Sequence, residues 1–245
     1  MFSIFKSKPI LKDLIPIGYV DIHSHLLYGL DDGAKTISDT SKLIESMKSF
    51  GFEKIITTPH TTPLVWENTK EGILTKLSDV KAEISDLANS VSLNAASEYL
   101  MDDSFANRLD EEELLTLKDN MVLVEMSYIN SPINLYDILF KLADKGYQPI
   151  LAHPERYNFY ANDFNAFKKL KRAGCLFQLN LLSVTGYYGS GIARVADELL
   201  KQEMYDFTGS DIHHENHTKS FSNKLMIKNI KQFEKVLANN SKVFK

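Results

Sequence analysis

Residues 19–33 read YVDIHSHLLYGLDDG, a strand that empties into a polar loop. Tyr19, Val20 and Ile22 make an apolar, β-prone entry, and Asp31, Asp32 and Gly33 make a turn-forming exit. Between them stand His23 and His25, one residue apart. Along a strand, residues i and i+2 point to the same face, so both imidazoles can reach one ion. Neutral imidazole is the commonest protein ligand for a metal, and carboxylates complete hard-to-borderline sites. A pair of core or surface histidines would give the same local pattern, so the assignment turns on the rest of the chain.

Elsewhere, short apolar runs alternate with longer segments of helical period, the pattern of βα units on a parallel sheet. Strands are predicted near 19–23, 54–58, 92–96, 121–124, 148–152, 176–179 and 205–208. Helices are predicted near 38–50, 70–88, 102–109, 133–145, 164–173, 192–201 and 223–237. In the second helix Ile73, Leu74, Leu77, Val80, Ile84 and Leu87 form the apolar stripe. Gly51, Gly146 and Gly174 stop three of the others.

Six of the seven strands end in a candidate ligand: His23 and His25, His60, Glu98, Glu125, His153, and Asp211 with His213. The remaining strand ends in Asn180. In parallel β/α barrels the strand C-termini carry the site, because the loops there converge on one mouth while the interior is packed. Five of the seven histidines occupy these positions, which scattered core or surface histidines would not do. A polynuclear metal site accounts for the pattern.

Composition narrows the class. A chain of 245 residues with 44% hydrophobic residues buries a full core, and barrels of this length are usually one domain. The net charge of -4, with no basic stripe, gives nucleic-acid binding no support. A single cysteine excludes an internal disulfide and fits a reducing compartment. The opening MFSIFKSKPILKDLIP lacks the unbroken apolar run of a secretory signal, and no segment is long and apolar enough to span a bilayer. A cytoplasmic protein without direct membrane insertion is expected.

DIHSH, TTPH, the Glu of SEY, the Glu of VEMS, AHPERY and GSDIH resemble the polymerase-and-histidinol-phosphatase (PHP) superfamily. More closely, HxH, DDG, HPER and SDxH resemble its bacterial capsule-type protein-tyrosine phosphatases, over about residues 19–217. The resemblance implies an α/β fold, a distorted (β/α)7 PHP-type barrel forming a single domain over 18–245, with 1–17 as an N-terminal arm. It implies metal-dependent hydrolysis of phosphotyrosine in a protein, a membrane-linked tyrosine autokinase that controls exopolysaccharide production. Carried over by position, one metal takes His23, His25, Glu98 and Asp211. Glu98 bridges to a second bound by Glu125 and His153, and a third takes Asp32, His60 and His213. Two or three divalent ions are implied, with manganese favoured and iron or zinc as alternatives.

The expected chemistry is in-line attack by water that the metals activate. Arg156, three residues past His153, can hold a phosphate oxygen with its planar fork, against the competing reading of a structural ion pair. Tyr187 and Tyr188, after the sixth strand, and Trp66, after His60, are placed to line the mouth and contact substrate, or to pack as loop aromatics. His214 and His217 read as solvated loop residues outside the catalytic set. The segment after SDIH has no arginine, which leaves Lys219 as a second candidate phosphate ligand. Cys175 precedes the apolar LFQLNL rather than a C-x5-R loop, so it reads as a buried, inert thiol. A small-molecule phosphoesterase such as histidinol phosphatase shares the metal site. A metal-dependent amidohydrolase also opens with HxH, but Glu98 and the SDxH ending argue against it.

Overall fold

Every ladder between the named strands is parallel in the computed structural model, which describes residues 7–245. Residues 1–6 of the expected N-terminal arm lie outside the described residues. The strands are β1 (Tyr19–Asp21), β2 (Phe52–Thr57), β3 (His60–Thr61), β4 (Ser92–Ala95), β5 (Glu98–Leu100), β6 (Met121–Glu125), β7 (Gln148–Ala152), β8 (Leu176–Asn180) and β9 (Phe207–Gly209). One sheet has the order β1-β2-β4 and the other β3-β5-β6-β7-β8-β9.

The seven expected strands account for these nine, because the second and third are each divided. Pro59 sits at the first division and has no N–H to give a ladder, and Ala96 and Ser97 interrupt the other. Backbone bonds carry the wall across the gap. Thr58 donates to Ser24 O (2.7 Å), Ala96 to Thr57 O (2.9 Å) and Glu98 to Pro59 O (3.2 Å). The result is a mixed α/β single-domain fold whose parallel strands follow a barrel wall from first to last.

The two edges of that wall, β1 and β9, meet just past their C-terminal ends. Asp211 N–H donates to His23 O (2.7 Å), His25 N–H donates to Ile212 O (2.9 Å), and Ser24 and Ile212 form a parallel bridge. Further along the same seam the contact is made by side chains. Tyr19 and Thr208 hydroxyls lie 2.7 Å apart. Asn240, fully buried, donates to Val20 O (2.9 Å) and Thr208 O (2.7 Å) and accepts from Thr208 N–H (3.0 Å).

Alternate strand residues divide between two cores, as the two-residue period of a strand dictates. Val20, Ile56, Leu123, Ile150 and Phe207 converge in one small buried cluster that fills the lumen. Their neighbours Tyr19, Ile55, Val122 and Leu151 belong to the larger core beneath the helices. A filled lumen confines any site to the mouth.

Three expected elements differ from the structure. The long second helix divides into Lys70–Glu83 and Ser85–Ser90, because Ile84 leaves the helical basin (φ -122°, ψ 43°). Leu74 of its expected stripe is 41% exposed. The closing helix is Ile230–Phe244 rather than 223–237. The segment before it is extended by long-range bonds: Leu225 N–H reaches Pro9 O, Met226 N–H reaches Val184 O, and the Asp197 carboxylate takes the N–H groups of Lys228 and Asn229. Finally, the stretch after SDIH forms a short helix, Glu215–Ser220, instead of a loop.

The seam generates a stability prediction. Asn240→Ala removes its three buried hydrogen bonds to backbone, besides contacts with the Tyr19 and Thr208 hydroxyls, and leaves the backbone partners unsatisfied, which should cost about 2–4 kcal/mol. Urea unfolding at equilibrium measures it; a loss below about 0.5 kcal/mol, the range of ordinary surface substitutions, would contradict the role given to this side chain.

Candidate metal centre

His23 and His25 continue the extended path of β1 and are both fully buried. The loop after them folds back tightly, with Ala34 N–H donating to His25 O (3.1 Å). A Cβ on Gly33 would stand 2.2 Å from that carbonyl oxygen, so the glycine of DDG is sterically required. The return brings Asp31 beneath His25: its carboxylate lies 2.7 Å from His25 Nδ1 and accepts from the N–H groups of Gly33 (2.9 Å) and His60 (3.0 Å). With Nδ1 committed to Asp31, His25 Nε2 faces the cluster.

His23 is oriented in the same manner. Gln178 Oε1 lies 2.8 Å from His23 Nδ1, and the Gln178 amide nitrogen donates to Leu179 O (2.7 Å), which fixes the oxygen as the acceptor. His23 Nε2 thereby faces the cluster, 3.0 Å from Glu98 and 3.3 Å from Asp211. His213 places Nδ1 2.9 Å from Asp211 O and turns Nε2 toward Asp32 (3.4 Å). Such outer contacts are what set the tautomer and aim of metal-binding imidazoles. Two of the gathered residues, His153 (φ 35°) and Asp211 (φ 51°), hold left-handed backbone, a conformation uncommon outside glycine though favoured among the rest by histidine and aspartate.

All nine expected ligands meet at the mouth, in four overlapping groups: His25, Asp32, His60 and His213; His23, Glu98 and His153; His23, His25 and Asp211; His60, Glu98 and Glu125. Within each group the donor atoms lie within 4.8 Å of one another. The geometry divides the donors differently from the resemblance: His25 also groups with Asp32, His60 and His213, and Glu98 stands outside the group of His23, His25 and Asp211. Glu125 stands 3.0 Å from His60 Nδ1 and groups with it, while His153 groups with His23. The cause is register: β3 sets His60 opposite Glu98 on β5, and β6 delivers Glu125 beside them.

The residues fit a group of divalent ions. His25 Nε2, His60 Nδ1, Glu98 Oε1 and His153 Nδ1 are buried without a hydrogen-bond partner, a rare condition for polar atoms. Burial disfavours the charged form of His23, yet Glu98 and Asp211 beside it lift its pKa to about 9. Burial would raise Glu98 likewise, but His23 and His60 hold its carboxyl well below the usual range. The cluster thus keeps its carboxylates ionised against cationic partners. Metal ions in that role displace protons from the imidazoles.

Arg156 sits in the turn Pro154–Arg156 and donates from Nη1 to Asp211 Oδ2 (2.6 Å). Its guanidinium lies between two rings, 4.1 Å from the centre of Tyr188 and 4.8 Å from that of Tyr128. Beside it opens a cavity of about 430 Å³, with Asp32, His60, Trp66, Tyr128, His153 and Arg156 among its walls. Trp66 stacks on His60 (4.9 Å, 15°). Tyr188 faces a smaller cavity of about 190 Å³ on the other side of Arg156. Tyr187 is 38% exposed and packs edge-on against Tyr188 and His217.

His217 is not a solvated loop residue: it is buried in the helix Glu215–Ser220, and its Nδ1 accepts from His213 N–H (3.1 Å). Lys219 does not reach the site either; it is exposed and faces Glu215 (3.7 Å), a neighbour one helical turn away. Cys175 is buried, and burial pushes its thiol up to about 12. Four positions emerge that the sequence pattern did not single out as site residues. Asp31 and Gln178 orient histidines, Asn180 Nδ2 donates to Asp211 (2.8 Å), and Tyr128 carries the guanidinium. Asp31, in the doubled aspartate of DDG, and Asn180, at its strand's C-terminal end, had a signal; Gln178 and Tyr128 had none.

Known proteins share this arrangement of chain. CapC of Staphylococcus aureus is 27% identical over 197 residues, covering 79% of this chain and 76% of that protein. The tyrosine-protein phosphatase CpsB of Streptococcus agalactiae serotype V is 26% identical over 200 residues, covering 79% and 82%. A crystal structure from the pair YwqE of Bacillus subtilis and CpsB of Streptococcus pneumoniae, metal-dependent tyrosine phosphatases, superposes with a TM-score of 0.79. That match covers 92% of this chain and 93% of the other at 23% identity. The profile of one family spans residues 19–240, and the chain belongs to it: the CpsB/CapC family of capsular polysaccharide synthesis.

Proposed function

We propose that this protein is a metal-dependent phosphatase that removes phosphate from tyrosine in protein substrates. The observation that carries the reading is a mouth of nine histidine and carboxylate side chains, with orphaned buried donor atoms, beside an arginine held between aromatic rings. The relatives named as tyrosine-protein phosphatases support it. The proposed substrate is a membrane-linked tyrosine autokinase that controls exopolysaccharide production, met in the cytoplasm. Among the described residues, no helix is long and apolar enough to cross a membrane.

Two or three divalent ions, manganese foremost, would be held by His23, His25, Glu98 and Asp211, by Glu98 with Glu125 and His153, and by Asp32, His60 and His213. When bound, they supply Lewis acidity that polarises the phosphoryl group and lowers the pKa of water. Arg156 binds a phosphate oxygen with donors that Asp211 leaves free, since its contact with Asp211 uses Nη1. Tyr128 and Tyr188 keep the guanidinium plane in place. Trp66 and Tyr128 line the wall against which the substrate's phenyl ring can lie. A phenol leaves more readily than an alkyl alcohol, so the site needs no strong general acid.

Three outcomes test this reading. Chelation should abolish hydrolysis of an aryl phosphate and Mn2+ should restore it, with more than one ion per chain by metal analysis; full activity in metal-free protein would exclude the proposed chemistry. Cys175→Ser should keep near-wild-type turnover, while His153→Ala should lose about 100-fold or more. A folded but inactive Cys175→Ser protein would point to thiolate catalysis instead. Lastly, kcat/KM should be higher for phosphotyrosine peptides than for phosphoserine peptides or histidinol phosphate, and Arg156→Ala should weaken both binding and turnover. A preference for histidinol phosphate would reassign the substrate and leave the metal site intact.

A further inference from the structure

The metal cavity does not end at its rim. Leu100 and Ser127, two of its wall residues, also line a second groove of about 220 Å³ that continues from it along the protein surface. The floor of this groove is apolar, with Leu100 and Met101 at its inner end and Pro132 and Ile133 farther out. Ile133 is fully exposed, and Ile129, on the rim of the metal cavity, is 84% exposed. Large apolar side chains left in water beside a catalytic cavity mark a surface that gains by being covered.

The groove also carries charge. Asp102 caps the helix Asp103–Glu111 by accepting from Phe105 N–H, and Asp103 accepts from the Asn134 amide (2.8 Å). Neither carboxylate has a cationic partner among the described residues. An apolar floor with unneutralised carboxylates beside it complements a peptide that offers an aliphatic side chain next to a lysine or arginine.

Resting on the phosphatase reading, we infer that the groove binds the substrate residues that flank the phosphotyrosine, and that it selects an aliphatic residue accompanied by a basic one. With the phosphate at the metal ligands and the ring along Trp66 and Tyr128, the peptide leaves the cavity past Leu100 and Ser127. Its next residues then lie over Pro132 and Ile133, with the basic group near Asp103. The site reads sequence around the phosphotyrosine as well as the phosphoryl group itself.

The test is a set of phosphotyrosine peptides of equal length, with Leu and Lys, or Gly and Glu, flanking the phosphotyrosine on both sides. Each is assayed with the Mn2+-loaded protein alongside p-nitrophenyl phosphate. The Leu/Lys peptide should be favoured about five- to tenfold in kcat/KM, chiefly through KM. Asp103→Lys should erase or reverse the preference, and Ile133→Ala should reduce it. Glu234→Lys, which changes net charge equally on the distant final helix, should leave it intact. Equal kcat/KM for the two peptides, or a preference that survives Asp103→Lys, overturns the inference. Failure to hydrolyse any phosphotyrosine peptide or p-nitrophenyl phosphate overturns the phosphatase reading on which it rests.

Discussion

Glu98 is fully buried and lies 3.0–3.4 Å from four imidazoles, those of His23, His25, His60 and His153. A carboxylate out of water is costly unless it is surrounded by compensating charge, and this one is reached from three strands, β1, β3 and β7. The broken second and third strands make that convergence possible. Pro59 and the Ala96–Ser97 step end one sheet and begin the next, so that His60 and Glu98 face each other across a fresh ladder directly at the mouth.

Around this centre a second layer does the aiming. Asp31, Gln178 and the Asp211 carbonyl each occupy one ring nitrogen and leave the other free. Asn180 and Arg156 both bond Asp211, and Glu155 ties that corner together by accepting from Asn180 N–H and the Tyr205 hydroxyl. The aromatic planes of Tyr128 and Tyr188 then limit where the guanidinium can go. Removing Asp31, Gln178, Asn180 or Glu155 would loosen one of the gathered side chains without touching substrate, so their mutation should resemble damage to the site itself.

How much of this the sequence disclosed follows from the range of the forces involved. Period-two placement made the His23 and His25 pair legible, and alternating apolar runs made the parallel wall legible, because both are local. The Glu125–His60 pairing depends on which strand ends are neighbours, and no spacing encodes that. The final helix starts late because Asp197, some thirty residues earlier in the chain, captures Lys228 and Asn229. His217 lost its solvent to Tyr187 and Tyr188, which arrive from another loop. Tyr128 as a shelf for Arg156 has no local signature at all.

The seam between β1 and β9 joins residues that are 189 positions apart at the Tyr19–Thr208 contact. Neighbouring strands elsewhere pair across much shorter connections, so this junction carries the largest loop-closure entropy in the wall. The same junction separates His23 and His25 on one side from Asp211 and His213 on the other. An ion shared by the two sides, as proposed, would rivet the least local joint of the fold. Metal affinity and resistance to unfolding would then be one linked quantity, each rising with the other.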